Sequence, residues 1–247
     1  AVCIFARWRG ISSLFGLSFS IAVLWFYIVP SILRGSDPLV ISVTGSLLVL
    51  CVSLYLSHGV NKKTTIALAS IFITLTLSAL FSAACVFFAR LYGGGSEEAI
   101  LLQVGSGESI NLAGLLLGGM IVGILGILDD ATVTQTATVQ ELRRANAKLT
   151  FSELYNRGIS IGREHIASLV NTLAFAYAGV SMPLFLLFIL NRTQPWWVVL
   201  NGEFVAEELV RTLTGSMALV LAIPISTLLA AYFFSREANR EERDAEH

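Results

Sequence analysis

Asp129 and Asp130 are the only ionisable side chains between Ser109 and Gln140, a window longer than the about 20 apolar residues a helix needs to cross a bilayer core about 30 Å thick. An aspartate near the centre of a membrane helix costs roughly 2.5–3.5 kcal/mol, and such residues usually face a bundle interior or a wet cavity. Two chemistries suit a carboxyl held there: carrying a proton, or holding an ion. At helical spacing Asp129, Thr132 and Thr136 share one face, and Asp130 and Thr134 share the adjoining one. Hydroxyls continuing along the helix from an acid can relay protons. The same groups can instead clamp neighbouring helices by hydrogen bonds, or cap the helix at the cytoplasmic surface as a partner site. All three readings stand on the residues alone. A second polar set, His165, Ser168, Asn171 and Thr172, recurs at intervals of three or four on a later segment and is expected near the level of the acids. His165 is also suited to a place at the membrane interface, and Asn171 and Thr172 to polar contacts between helices.

Other chemistry finds little support. The sequence carries no Walker A loop, no dinucleotide-binding glycine motif, no H-E-x-x-H and no G-x-S-x-G. Vicinal carboxylates on a helix point about 100° apart and seldom complete a metal site without ligands from other helices. Cys3, Cys51 and Cys85 lie in apolar stretches without C-x-x-C or Cys-His grouping, and read as small buried apolar side chains. No nucleophile or metal set stands beside the acids, so the expectation is a protein that is not an enzyme and uses neither cofactor nor metal.

The elements that position these residues follow from composition. The 247-residue chain is 55% hydrophobic and 13% charged, with a mean hydropathy of +0.76, against about 25% charged residues in soluble domains. An all-α, polytopic transmembrane bundle is predicted, with six spans at 11–33, 38–57, 64–90, 110–131, 166–190 and 209–234. Gly114, Gly118, Gly119, Gly123 and Gly126 precede the acids and predict close helix approach. Starting the fourth span at Ile110 puts the acids near its end. Centring it near residues 124–125 puts them only about 7 Å from the midplane.

Charge reports sidedness. Arg7, Arg9, Lys62, Lys63, Arg143, Arg144, Lys148, Arg157, Arg163, Arg236, Arg240 and Arg243 fall on one side of the predicted spans, and Arg34, Arg90, Arg192 and Arg211 on the other. The positive-inside rule places the first set in the cytoplasm, together with the C-terminus. The opposite loops are short and acidic, and one contains Gly93-Gly94-Gly95, read as a flexible joint. Trp196 and Trp197 read as interfacial anchors. Within the single membrane domain spanning 1–247, residues 141–165 form a cytoplasmic amphipathic connector. Thr150-Phe151-Ser152-Glu153 there is a capping-box signal for a second short helix lying along the membrane surface. Residues 235–247 are a charged cytoplasmic tail. The start, AVCIFA, reads as the last turns of a segment that begins upstream, which makes the chain an expected fragment.

The run Gly123-Ile-Leu-Gly-Ile-Leu-Asp-Asp-Ala-Thr-Val-Thr-Gln135, with Glu141-Leu-Arg-Arg-Ala-Asn146, Ile161-Gly-Arg-Glu-His-Ile-Ala-Ser168 and Val170-Asn-Thr-Leu173, closely resembles the YibE/F family of bacterial multi-span proteins, and the resemblance covers nearly the whole chain. It implies the bacterial cytoplasmic (inner) membrane, and an upstream membrane anchor and extracytoplasmic segment. A looser likeness joins the glycine-rich acidic helix, the basic connector and the Ser/Thr-bearing next helix to the RND superfamily, especially the export subunit SecF. That likeness implies proton coupling through Asp129 or Asp130 and makes the spans 38–57 and 64–90 an insertion. Together these readings give a membrane permease or export component, proton-coupled through the acidic pair. The competing class is a non-transporting scaffold or assembly subunit. The expected partners are the lipid bilayer, homo- or hetero-oligomeric membrane proteins and an unidentified substrate, with no nucleic acid.

Overall fold

The computed structural model describes residues 2–105, 110–190 and 195–245, and within them the side chains of all but residues 2–11, 184, 187–188, 200 and 237–245. Glu108, Arg192 and the last residues of the charged tail fall outside the described chain, as do the side chains of Cys3, Arg7, Arg9, Arg240 and Arg243. Every regular element among the described residues is helical. They are α1 (Val2–Val23), a π turn (Leu24–Ile28), α2 (Val29–Leu33), α3 (Pro38–His58), α4 (Lys62–Phe88), α5 (Glu97–Gly105), α6 (Leu112–Ala145), α7 (Phe151–Val180), α8 (Met182–Leu190), α9 (Trp196–Leu200) and α10 (Glu203–Ala245).

Helix starts follow local side-chain chemistry. The orphan N–H groups of a first turn need acceptors, and Asp37, Asn61 and Asn111 accept from the amides of Val40, Thr64 and Gly114 at 3.0, 2.9 and 3.0 Å. Thr150 and Glu153 form the expected capping box. The helix it opens is not short, however, and does not stand apart from the bundle. It runs for 30 residues and buries Leu154, Gly158 and Gly162. The segment 141–165 is therefore the end of α6, a turn at 146–150, and the first half of α7.

Among the described residues five helices are long and apolar enough to cross a membrane: Ser12–Leu33, Pro38–His58, Lys62–Phe88, Leu112–Ala145 and Glu203–Arg236. The remaining predicted stretch, 166–190, is shared between α7 and α8. Pro183 cannot donate a backbone hydrogen bond, and the helix breaks just before it. Ser181 bridges the break, donating to Tyr177 O at 2.9 Å and accepting from Phe185 N at 3.1 Å.

The core is built on α6, which packs against α3, α4, α7 and α10. Its N-terminal half meets the end of α4 and the loop after it through Leu116, Met120, Val86 and Leu91, and its C-terminal half meets the start of α4 and the far part of α10 through Val139, Ile66, Ala230 and Phe234. So α4 runs antiparallel to α6, and α10 parallel to it. The central cluster takes Leu50 and Leu54 from α3, Ala67, Ile71 and Leu75 from α4, Ile121, Ile124, Leu125 and Leu128 from α6, and Ala218 and Ala222 from α10. The two spans treated as an insertion under the looser likeness thus supply much of that cluster. Ser70, Thr74, Ser78 and Ser82, one turn apart on α4, are fully buried, and small side chains of this kind let helix axes approach closely.

The turns at 59–61 and 146–150 and the far part of α10 lie at one end, with Lys62, Lys63, Arg143, Arg144, Lys148 and Arg236. The opposite end is acidic and more rigid than its glycines suggest. Glu203 Oε1 accepts from the amides of Tyr92 and Gly93 at 2.6 and 3.1 Å, and Glu207 Oε1 from that of Gly95 at 3.1 Å. The Gly93-Gly94-Gly95 segment is a fitted loop, not a free joint. Gly93 has φ +80°, and a Cβ there would run into the Leu112 backbone.

Candidate functional site

Asp129 and Asp130 diverge, as adjacent helical positions must. Asp130 is exposed, and Asp129 is half-buried on the face of α6 turned toward α1 and α3. The Oδ1 atom of Asp129 is buried without a hydrogen-bond partner. It lines a cavity of about 370 Å³ whose other polar walls are Ser13 and Ser20 of α1 and Ser46, Ser53 and Ser57 of α3.

Backbone details create this space. Gly126, also in the wall, has nothing within 4 Å of where a Cβ would stand. Leu24 and Ile28 at the two ends of the π turn line it from α1. π turns are rare and frequent at functional sites, and this one closes with the Val29 N–H donating to Leu24 O just before Pro30. Gly16 lets α1 close on α3, since a Cβ there would stand 2.6 Å from Ser57 Oγ and 2.8 Å from Ser53 Oγ. The Ser20 hydroxyl donates to Gly16 O at 2.9 Å, which leaves its oxygen lone pairs available. Ser46 is 1% exposed, and its hydroxyl, like Asp129 Oδ1, has no partner.

The structure also fixes the level of the acid. Gly118 of α6 abuts Ser42 of α3, and the two helices run in parallel, so Asp129 lies level with Ser53. That is five residues past the middle of the 21-residue α3, or about 7 Å at 1.5 Å per residue. The acid sits inside the bundle, not at its end. The glycine series upstream is less uniform than its spacing suggests. Gly118 makes the close helix contact, whereas Gly123 and Gly126 face open space.

The supporting residues divide. Thr132 and Thr136 are fully buried on the Asp129 side. Thr136 Oγ1 donates to Thr132 O at 2.8 Å, while Thr132 Oγ1 is buried without a partner. Thr134 is exposed beside Asp130. On α7, Ser168, Asn171 and Thr172 are exposed, and the Thr172 hydroxyl donates to Ser168 O at 3.0 Å. His165 Nε2 is buried without a partner, and no hydrogen bond or ion pair joins it to either acid among the described residues. The structure does not bring the α7 residues to the carboxyls. Cys51 is exposed and Cys85 half-buried, so neither is the buried apolar filler expected.

Two groups of functional interest were not singled out by sequence. The serines of α1 and α3 are ordinary one by one, and only their common face across two helices marks them. Gln135, 2% exposed, donates from Nε2 to Gly158 O at 2.9 Å and Thr227 Oγ1 at 2.7 Å, tying α6 to α7 and α10. Gly158 and Gly162 make room for it. The described residues hold no group of three or more His, Cys, Asp or Glu side chains able to bind a metal ion.

No curated protein and no solved structure matches the chain. A family model described as YibE/F-like protein matches residues 1–236, taking in the acidic α6, its Gln135 clamp and the serine-bearing helices. With its several membrane-competent helices, the chain is a multi-pass membrane protein and belongs to the YibE/F family.

Proposed function

We propose that the protein is a permease or export component of the bacterial cytoplasmic membrane, not an enzyme, coupled through Asp129, with a proton as the simplest coupling ion. The observation that carries this reading is the unpartnered Asp129 carboxylate oxygen in a hydroxyl-lined cavity inside the bundle. A carboxylate oxygen out of water and without a partner is costly, and a purely structural clamp would have spent it on a neighbouring helix. Asp130 is an exposed companion, and Thr132 continues the polar face beyond Asp129. The RND-like comparison extends no further than an acid on a glycine-rich helix.

The topology proposed is six crossings with the basic end and the C-terminus cytoplasmic. α7 starts beside Val139 and Ile66 at the basic end, and α10 starts where Glu203 holds the loop after α4 at the acidic end. The chain between them must travel the height of the bundle. α7 beyond Gly162, together with α8, provides the sixth, interrupted crossing.

Difference infrared spectroscopy on the protein in lipid tests the coupling role. A carboxyl C=O band that responds to pH, persists in Asp130→Asn and disappears in Asp129→Asn is expected, with flux into proteoliposomes lost in the same variant. A band unchanged by Asp129→Asn would defeat the reading.

The scaffold reading has one observation in its favour. Ser168, Asn171 and Thr172 lie exposed on α7, and polar side chains on a membrane helix seek partner helices. Cross-linking from residue 171 to another subunit, with flux absent, would favour it.

A further inference from the structure

We propose that the cavity between α1, α3 and α6 binds a sodium-sized, partly hydrated monovalent cation, with Asp129 supplying the charge, the serine hydroxyls nearest its level the direct oxygen contacts, and retained waters linking the ion to the farther hydroxyls. The inference rests on the reading of Asp129 as the coupling group and names a second occupant for it. Its first support is the donor set. Five hydroxyls, from Ser13, Ser20, Ser46, Ser53 and Ser57, line the same space as one carboxylate. A protonated carboxyl needs one acceptor, whereas a partly dehydrated hard cation needs several oxygens around it. The second is orphaning at two separate points of the wall. Ser46 Oγ, on a side chain 1% exposed, and Asp129 Oδ1 on a different helix both lack partners, and buried polar atoms left so are the sign of an unseen water or ion.

The charge count selects the ion class. Among the described residues Asp129 is the only acidic one in the wall, since Asp130 points away. Divalent sites of high affinity gather several carboxylates, and among the described residues this wall offers no nitrogen or sulfur side-chain ligand for softer metals. The cavity, about 370 Å³, exceeds a bare ion and has room for on the order of ten waters at ~30 Å³ each. The ion therefore keeps part of its shell. At Asp129, proton and cation are alternative ways of neutralising one charge, so binding of one displaces the other.

The test is equilibrium binding of radiosodium to the full chain in lipid nanodiscs, at fixed ionic strength with choline as the replacement cation. Wild type and Asp130→Asn should bind saturably, and Asp129→Asn should keep less than about a tenth of the binding. Ser53→Ala, at the level of the acid, should weaken it about fivefold, equivalent to the ~1 kcal/mol of one lost polar contact. Absence of saturable binding to folded wild type, binding unchanged in Asp129→Asn, or stoichiometric displacement of sodium by micromolar calcium would each overturn the proposal. Should Asp129→Asn fail to fold, Ser53→Ala decides, and unaltered affinity there counts against the site. Flux in the same preparation separates the two claims. Sodium binding without flux keeps the site and sinks the permease, while flux with a titrating carboxyl and no sodium binding does the reverse.

Discussion

Gln135 shows how one side chain can stand in plain view in a sequence and still not be singled out. It lies between Thr134 and Thr136, in a polar run that marks none of its members as a bridge between helices. In the structure its amide spans to two other helices, because buried donors must be paired and the glycines of α7 leave space for it. Gln135→Leu keeps the bulk and deletes both bonds, leaving Gly158 O without this donor. Stability should fall by about 1–3 kcal/mol, measured as a lowered melting temperature in detergent, while sodium binding at the separate Asp129 cavity persists. Asp129 itself was legible, because an acid in an apolar window is conspicuous and adjacent helical positions diverge. The serines facing it were not, because each is unremarkable until α1 and α3 are laid side by side. Glu153 gives a pH-dependent case at the same scale. The Thr150 backbone N–H and hydroxyl both donate to its carboxylate, at 2.9 and 2.8 Å, and hold its pKa below the usual glutamate value. A depressed folded pKa makes the contribution to stability full above the unfolded value and lost as pH falls through the folded one. Amide exchange in the first turn of α7 should therefore accelerate on acidification through the carboxylate range, and Glu153→Gln should flatten that dependence.

At the scale of elements, glycines separate into those that permit packing and those that merely leave room, and spacing alone does not tell them apart. Gly162 lies where a Cβ would meet Ile223 Cγ2 and stand 3.1 Å from Gln135 Nε2. Gly162→Ala should push α7 off α6 and α10 at a cost of about 1–3 kcal/mol. Gly123→Ala meets nothing within 4 Å and should instead stabilise α6 by about 1 kcal/mol through helix propensity. Thermal unfolding of the two variants in one detergent reads opposite signs. The start of α7 was legible, because Thr150 and Glu153 are the spaced pair that a capping box needs, whereas the single caps at Asp37, Asn61 and Asn111 carry no such paired signal. The interruption at Ser181 was harder to read, because Pro183 inside an apolar run is compatible with a kinked span as well as with a break, and hydropathy averages over both. The acidic-end loop was misread for a related reason. Three glycines signal freedom, but Glu203 and Glu207, more than a hundred residues later, remove it.

For the whole molecule, the alternation of charge and the packing of helix ends are independent observations that agree. Counting Lys and Arg between apolar runs needs no structure, and the clusters at the two ends of α6 need no charge. Both put Lys62, Arg144 and Arg236 together, opposite Asp37, Glu97 and Glu203. The agreement matters most where hydropathy is silent, on the path from α7 to α10. If α4, α6 and α10 cross the bilayer, α7 and α8 must carry the chain back across it, although neither alone is long and apolar enough. Single cysteines at Lys148 and Trp197, in a background with Cys3, Cys51 and Cys85 replaced, test this with a membrane-impermeant thiol reagent on right-side-out and inverted vesicles. The expected result is labelling of position 148 only from the cytoplasmic side and of position 197 only from the other, the same side as a cysteine at Asp37. Labelling of both 148 and 197 from the cytoplasmic side would mean that α7 and α8 do not cross. α10 would then begin on the cytoplasmic side, and the bonds from Tyr92 and Gly93 to Glu203 could not form across the bilayer. That outcome would overturn the sixth crossing together with the parallel packing of α6 and α10.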